Sequence, residues 1–305
     1  MKNVNIVCTS KPGDGLLRYS YEHCCYLNSL GLGINASLII IPNKDFTQED
    51  YIAALTEQYI KIENVYFDYF VPKPNDITLI MGRSQLTLGL YDYKLRTETQ
   101  KLTLHQLFGC KLISVYSENH PVDYHVAVEK YKPKKIIDLC DFDVYKNGVG
   151  RQFEKIINFS IYKSFKHDIK YQYLFLGTNK MYYEAVEDVI SKNYMLYQSH
   201  GIITYPEDYL NPQYNNVNVP VKNLLGSFET YVYTKPNFDP APRLFVEFRW
   251  LGKNVEYLRD KNMKDGGMVY WNRPVPTEQI YSANINILIE LIKAINEKDI
   301  ISKRL

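Results

Sequence analysis

The sequence predicts an α/β chain of two domains, each built on a parallel sheet covered by helices. First, apolar runs of about four to six residues alternate with stretches of helical periodicity, the pattern of repeated βαβ units. Second, this pattern restarts after a charged stretch at residues 163–170. Third, a chain of 305 residues, 46% of them hydrophobic, is long and apolar enough for two cores of ordinary domain size. We therefore expect domains at 1–165 and 166–305.

In the first domain the strands are short runs of large apolar residues. The turn signal Asn75-Asp76 precedes one of them. The strands are predicted at 5–8, 37–41, 65–67, 77–81, 111–116 and 135–139. Amphipathic periodicity predicts helices at 16–30, 51–61 and 153–162.

The second domain repeats the pattern with longer intervals between its strands. Strands are predicted at 171–176, 230–233 and 254–258, and residues 206–220 read as irregular. Helices are predicted at 182–191, 221–225, 242–251 and 282–298, the last with the clearest long helical periodicity in the chain.

Composition excludes several classes of protein. A net charge of +2 and a pI near 8.1 rule out a histone-like polycation. No apolar run approaches the 18 residues or so of a membrane-spanning helix. The five cysteines contain no C-x-x-C pair and the six histidines no ligand spacing, which argues against a disulfide framework and a zinc site. We expect a cytoplasmic protein without a metal, monomeric or weakly dimeric.

The first candidate site is Lys11-Pro12-Gly13-Asp14-Gly15, between the first strand and the first helix. Glycines at such a turn let backbone N–H groups approach a ligand, and a helix N-terminus favours anions. The segment lacks both the third glycine of a dinucleotide fingerprint and the Gly-Lys-Ser/Thr of a P-loop. Three interpretations stay open: a tight turn with Asp14 as helix cap, an anion site, and Asp14 as a base.

The second candidate site surrounds the helix predicted at 242–251. Arg243 and Glu247 are four residues apart and share a helix face, and Asp239 precedes the helix N-terminus. An acid, an arginine and a second acid in this order suit a sugar, a phosphate and a ribose diol. The alternative is an exposed ion pair that contributes less than about 0.5 kcal/mol.

The order of elements around this site resembles the C-terminal half of GT-B glycosyltransferases. The helix with Glu247 is followed by a strand that begins with Gly252-Lys253-Asn254. Asp265-Gly266-Gly267 comes after this strand. In that superfamily the equivalent glutamate binds the ribose of a nucleotide-sugar donor. Retaining members carry two acids eight residues apart, the separation of Asp239 and Glu247. Here Asp239 stands in place of the first glutamate, and two prolines lie where the family has a glycine-rich segment. Glu247 therefore matches the family pattern more closely than Asp239 does, and the resemblance implies its ribose role more directly.

The resemblance extends to the rest of the chain. The restart at 173–179 is similar to the first strand and loop of a nucleotide domain, with Gly177 and Thr178 at the diphosphate. The turn at Gly13-Asp14-Gly15 is similar to an acceptor-side opening, where Gly15 and Arg18 are further candidates for donor binding. The resemblance implies two Rossmann-like domains facing a cleft, with the last helix crossing back to the first domain. It also implies a nucleotide-sugar co-substrate such as a UDP-sugar, no resident cofactor, and charge neutralisation by arginine and helix N-termini.

Candidates for the general base and for acceptor binding lie in the first domain. Glu118 and His120 follow a predicted strand, where either could accept the proton of a hydroxyl, although a solvated loop is the alternative. Arg83 and Lys111 are candidates for holding a phosphate backbone.

Composition bears on the acceptor. The 28 tyrosines and abundant Ile, Lys and Asn indicate an A/T-rich gene, and in this the chain resembles phage enzymes that glycosylate hydroxymethylated pyrimidines in duplex DNA. The alternatives are a bacterial envelope glycosyltransferase, acting on lipopolysaccharide or capsule, and a non-catalytic nucleotide or nucleic-acid binding protein of the same fold.

Overall fold

The computed structural model divides the chain into two compact units. Residues 1–163 and 278–305 form the first unit, and residues 164–277 form the second. The structure describes residues 2–82, 84–115, 124–138, 161, 168–169, 171–176, 201–204, 226–233, 247–248, 251–257, 286, 288–293 and 295.

The first unit contains a six-stranded sheet in which every neighbouring pair of strands is parallel. Its strands are β1 (Lys2–Cys8), β2 (Ile34–Ile40), β3 (Val65–Phe67), β4 (Ile77–Ile80), β5 (Lys111–Ser114) and β6 (Lys135–Asp138). Their spatial order is β3-β2-β1-β4-β5-β6. This is the order of Rossmann folds, and the chain reverses its direction across the sheet between β1 and β4. That reversal is the topological switch point.

Helices connect these strands, and several of the helices have a side-chain cap at the N-terminus. They are α1 (Gly15–Ser29), α2 (Gln48–Gln58), α3 (Ser84–Tyr91), α4 (Glu98–Phe108) and α5 (Tyr124–Tyr131), with a 3₁₀ turn at Tyr93–Leu95. Asp14 caps α1, while Thr47 with Asp50 and Thr97 with Gln100 form reciprocal capping boxes on α2 and α4. Each cap satisfies backbone N–H groups that the first helical turn leaves without an intrahelical acceptor.

The core of the first unit lies on both faces of its central strands. The last five residues of β1 and of β2 are all buried, as expected for a parallel sheet covered on both sides. On one face Val7, Ile39 and Ile80 from three strands join Leu107 and Phe108 of α4 in one apolar cluster. This core fixes where the strands end, and therefore where their loops emerge.

The second unit contains a four-stranded parallel sheet. Its strands are β7 (Tyr171–Leu176), β8 (Gly201–Thr204), β9 (Phe228–Tyr233) and β10 (Asn254–Tyr257), in the order β10-β9-β7-β8. β7 is one of the two inner strands of this sheet, as β1 is an inner strand of the sheet in the first unit. The strand that the sequence predicts at residues 171–176, where the pattern restarts, is therefore confirmed.

A helix ends just before β10. Glu247 and Phe248 are helical, and the N–H of Lys253 donates to the carbonyl of Phe248 at 2.9 Å. Gly252 has a φ of 73°, the left-handed conformation in which glycine is favoured after a helix. Phe248 packs against Phe228 and Tyr231 of β9, with ring centroids 4.9 and 4.7 Å apart. This packing attaches the end of the helix to the second sheet.

The C-terminal segment belongs to the first unit, whose sheet it meets at the start of β1. Residues 288–293 are helical, and Lys2 Nζ donates to the carbonyls of Ile292 (3.3 Å) and Lys293 (3.1 Å). A cation at the end of a helix compensates its exposed carbonyls. The fold class predicted from the sequence, two α/β units with a final helix returning to the first, is confirmed.

Element boundaries differ from the sequence predictions in particular places. β2 begins three residues earlier than predicted, β4 ends at Ile80 rather than at residue 81, and α2 is displaced by three residues toward the N-terminus. The helices α3, α4 and α5 and the strand β8 were not predicted. The predicted helices at 182–191 and 221–225, and most of the one at 153–162, lie outside the described residues.

Candidate active site

The loops at the carboxyl edge of the first sheet form the candidate site of the first unit. In open parallel sheets, ligands bind outside the carboxyl ends of the strands at the switch point. Here that point lies between the loop after β1, residues 9–14, and the segment from Gly82 into α3. We call residues 9–14 the β1–α1 loop.

The base of the β1–α1 loop is held by hydrogen bonds from two other elements. The N–H of Thr9 donates to Gln85 Oε1 at 2.7 Å, and Thr9 Oγ1 donates to the carbonyl of Gln85 at 2.9 Å. Tyr51 Oη, from α2, donates to the carbonyl of Ser10 at 2.8 Å. Thr9, Ser10, Gln85 and Tyr51 are all buried. The start of the loop is therefore fixed from both sides of the switch point.

The tip of the β1–α1 loop is an exposed turn. The N–H of Asp14 donates to the carbonyl of Lys11 at 3.1 Å, while Pro12 is buried beneath the turn. A Cβ added at Gly13 would meet no atom within 4 Å, so the turn faces open space. Asp14 Oδ1 accepts from the N–H of Leu16 at 3.4 Å. The cap interpretation of Asp14 describes this contact, and the exposed carboxylate remains accessible at the N-terminus of α1.

Two buried ionisable groups beneath the loop, the thiol of Cys8 and the hydroxyl of Tyr51, stay protonated at neutral pH. Cys8 Sγ lies 3.1 Å from Ser10 Oγ, and burial raises the pKa of this thiol to about 12. Burial likewise raises the pKa of Tyr51 to about 12. A neutral thiol is a poor nucleophile and neither group can accept a proton. Within the loop, Asp14 is accordingly the one carboxylate available as a base.

The other predicted residues of α1 lie at its first turns. Gly15 is the first helical residue and is half-buried. Arg18 is also half-buried, and its Nη1 donates to Gln58 Oε1 at the end of α2, 3.2 Å away. This contact directs the guanidinium toward α2. A role for Arg18 in donor binding stays a prediction.

Lys111 lies at the opposite edge of the first sheet from the β1–α1 loop. It is the first residue of β5, in register with Ile77 of β4 and Lys135 of β6. Parallel strands begin together at their amino edge, so Lys111 is separated from the switch point by the length of β5. The other candidates of this unit, Arg83, Glu118 and His120, lie outside the described residues.

In the second unit the structure places one of the predicted donor-binding residues. Glu247 is helical and only 3% exposed, so it is not the exposed member of a surface ion pair. Removing a carboxylate from water is costly unless bonding partners compensate for it. The remaining candidates, Asp239, Arg243, Gly177 and Thr178, lie outside the described residues.

Sequence reasoning missed the residues that hold the site together. Gln85 and Tyr51 carry no motif, and their partners are 76 and 41 positions away in sequence. Arg96 was also missed: it is buried, and its Nη1 donates to the carbonyls of Ile41 (3.3 Å) and Pro42 (3.0 Å) at the end of β2. Burial lowers the pKa of this guanidinium. The position of Gln85 just after a buried strand was the one available signal.

Neither a candidate metal centre nor a candidate membrane-spanning helix occurs among the described residues. No group of three or more His, Cys, Asp or Glu side chains is arranged to hold a metal ion there. No helix in the same residues combines the length and the apolar character needed to cross a membrane.

Comparison with known proteins shows the fold. No family model matches the chain, and no curated protein matches it. A lipopolysaccharide outer core galactosyltransferase, WaaB, solved without ligand, aligns over 95% of this chain and 99% of its own, with 10% identity and a TM-score of 0.51. Anabaena HepE in complex with UDP-glucose aligns over 96% and 91%, with 12% identity and a TM-score of 0.54. The chain thus has the GT-B fold that the sequence resemblance implies.

Proposed function

We propose that this protein is a glycosyltransferase that moves a sugar from a UDP-sugar to a hydroxyl acceptor. The observation that supports this most directly is the fold, which matches two proteins over nearly their full lengths. One of them is a galactosyltransferase, and the other was solved with UDP-glucose bound. Since one fold can serve many functions, the residues of this chain must supply the rest of the argument.

The second unit would bind the donor, with Glu247 as its central residue. A carboxylate accepts hydrogen bonds from both hydroxyls of a ribose, and such charge-assisted bonds are the stronger kind. The deep burial of Glu247 is compatible with this role, because a hydrogen bond is electrostatically stronger in a water-poor site than in water. Arg243, Gly177 and Thr178 would contact the phosphates, and Asp239 the sugar.

The first unit would present the acceptor hydroxyl. In the transfer, the acceptor oxygen forms a bond to the anomeric carbon while the bond from that carbon to the UDP oxygen breaks. The hydroxyl proton passes to a base, for which Asp14, Glu118 and His120 are the candidates. The departing UDP keeps the bonding electrons, and Arg243 with helix N-termini would stabilise its added charge.

Two acceptors are supported by different observations. The resemblance to phage enzymes supports a hydroxymethylated pyrimidine in duplex DNA, and this is the acceptor that we propose first. The likeness to a lipopolysaccharide galactosyltransferase favours an envelope sugar as the second candidate. Both acceptors present a primary or secondary hydroxyl, so the same transfer chemistry serves either.

The test is transfer from radiolabelled UDP-glucose, UDP-galactose and UDP-N-acetylglucosamine. Each donor is incubated with hydroxymethylated duplex, with the same duplex unmodified, with lipopolysaccharide core, and with water alone. We expect one donor to label one acceptor class, with the unmodified duplex as the matched control for DNA. Failure to bind or consume any of the donors would show that the proposed function is wrong. Binding without transfer or hydrolysis would favour a non-catalytic nucleotide-sugar binding protein.

A further inference from the structure

A buried glutamine bridges the switch point of the first sheet. Gln85 lies in the first turn of α3 and is fully buried. Its Oε1 lies 2.7 Å from the backbone N of Thr9 and 3.2 Å from Thr9 Oγ1. The hydroxyl of Thr9 also lies 2.9 Å from the carbonyl oxygen of Gln85. One residue of α3 is thus joined through three short contacts to the first residue of the β1–α1 loop.

The position of Thr9 explains why such a bridge is needed. The ladder between β1 and β4 ends at the pair Val7–Ile80. Thr9 lies two residues beyond this pair, where the chain leaves β1 in one direction and β4 in the other. A buried N–H without an acceptor is costly, and Gln85 Oε1 supplies the acceptor that the sheet no longer offers.

The orientation of the Gln85 amide follows from its partner. Because the backbone N–H of Thr9 can only donate, the atom that faces it is the carbonyl oxygen. The amide nitrogen, Nε2, then lies buried without a hydrogen-bond partner. A side chain that served core packing alone would avoid leaving such a donor unpaired. The value of Gln85 therefore lies in its acceptor oxygen, which fixes the start of the β1–α1 loop.

We propose that Gln85 is a positioning residue for the reaction, acting through Thr9 on the exposed turn at Lys11–Asp14. This inference rests on the proposed glycosyl transfer. If the bridge is removed, the turn and the Asp14 carboxylate shift relative to the reacting groups. A misplacement of about 1 Å can lower turnover about 100-fold even when the chemistry is intact. Donor binding, which would fall mainly to the second unit, should change little.

The test uses three variants of the full chain and one control. Gln85→Met keeps the length of the side chain and removes its acceptor, while Gln85→Glu keeps an acceptor oxygen facing Thr9. Thr9→Val removes the hydroxyl and leaves the backbone N–H in place. The control is Gln48→Met, at an exposed position in the first turn of α2.

The first measurement is amide hydrogen exchange of the protein without ligand, which does not depend on activity. In Gln85→Met we expect exchange in residues 9–14 to become about tenfold faster, with the amides of β1 and β4 unchanged. Gln85→Glu should restore most of the protection, and Gln48→Met should match the wild type. Unchanged exchange in residues 9–14 would overturn the proposal. Faster exchange throughout the sheet would overturn it too, because it would assign Gln85 to general packing.

The second measurement is the turnover of UDP-glucose, or of whichever UDP-sugar the wild type uses. We expect kcat to fall about tenfold or more in Gln85→Met, with KM for the donor within about twofold, since the lost interaction serves the reaction rather than donor binding. Thr9→Val should reduce kcat less, and Gln85→Glu should recover it. Faster loop exchange with unchanged kcat would overturn the positioning role. Inactivity of the wild type toward every UDP-sugar would instead reject the proposed function, and the exchange result would still decide whether Gln85 holds the loop.

Discussion

At the scale of single residues, the burial of Glu247 determines how its role is best tested. On an exposed helix surface, alanine would be harmless. At 3% exposure, alanine would leave a cavity and could lower stability by itself. Glutamine keeps the shape of glutamate and removes only its charge, so it separates a binding role from a packing role.

We expect Glu247→Gln to weaken the binding of UDP-glucose about 10- to 100-fold, because hydrogen bonds to a charged group contribute about 1.5–3 kcal/mol. Isothermal titration calorimetry measures the affinity, and a melting curve checks the fold. The matched control is Glu229→Gln, at an exposed position of β9 in the same unit. Equal affinities for Glu247→Gln and the wild type would reject the ribose role.

The buried thiols predict how stability depends on alkaline pH. Burial raises the pKa of Cys8 from its usual 9.0 to about 12, and that of Cys24 likewise. The unfolded chain therefore loses these protons at a lower pH than the folded chain does. The stabilisation is present below about pH 9 and is lost as the pH rises toward 12. Urea denaturation at pH 8 and at pH 10 should show a lower free energy of unfolding at pH 10.

Cys8→Ala serves as the comparison for this prediction. Removing the thiol should lessen the difference between pH 8 and pH 10, whatever its effect on stability at pH 8. A pH dependence identical to that of the wild type would contradict the assignment of this titration to Cys8.

At the scale of elements, Asp76 joins the beginning of β1 to the loop before β4. Its carboxylate accepts from Asn3 Nδ2 (3.0 Å), Asn5 Nδ2 (3.2 Å) and the N–H of Lys73 (3.0 Å). Asp76 and Asn5 are both buried, so removal of the carboxylate leaves buried donors unpaired. We expect Asp76→Ala to lower the free energy of unfolding by about 1–3 kcal/mol or more in urea denaturation.

Asp45→Ala is the control for Asp76→Ala, because Asp45 is exposed and precedes α2 rather than a strand. We expect it to change stability by less than about 0.5 kcal/mol. An equally small effect of Asp76→Ala would show that its hydrogen bonds do not hold the amino edge of the sheet.

The sequence predicted strands better than helices, for a physical reason. Strands of a parallel sheet are buried on both faces and read as short apolar runs, as in β1 and β2. α3 is only eight residues long, and its buried residues Gln85, Leu86, Thr87 and Gly89 do not follow a helical period. The bridge between Thr9 and Gln85 was invisible for another reason: it depends on which strands become neighbours, which no local pattern reveals.

At the scale of the whole molecule, this fold also occurs in proteins of very different sequence. Identity to the two solved structures is 10% and 12%, yet they align over more than nine-tenths of this chain. Many weak local preferences, for buried strands, caps and turns, can together specify one arrangement in chains of low sequence identity. The fold could therefore be predicted from element order. The acceptor could not, because it is selected by a few surface residues whose relative positions depend on the complete fold.

The last prediction concerns a DNA acceptor and which edge of the first sheet meets it. Each phosphate that a lysine or arginine neutralises releases counterions, so the logarithm of affinity falls with the logarithm of salt concentration by about 0.9 per contact. If DNA meets the carboxyl edge, the candidate contact is Arg83, which follows β4 in the sequence, rather than Lys111, which lies at the amino edge. We therefore expect Arg83→Ala to lower this slope by about one for hydroxymethylated duplex, and Lys111→Ala to leave it unchanged. Fluorescence anisotropy between about 50 and 200 mM salt measures both slopes. A loss of slope in Lys111→Ala alone would place the DNA at the amino edge, and an affinity independent of salt would exclude the DNA acceptor in favour of an envelope sugar.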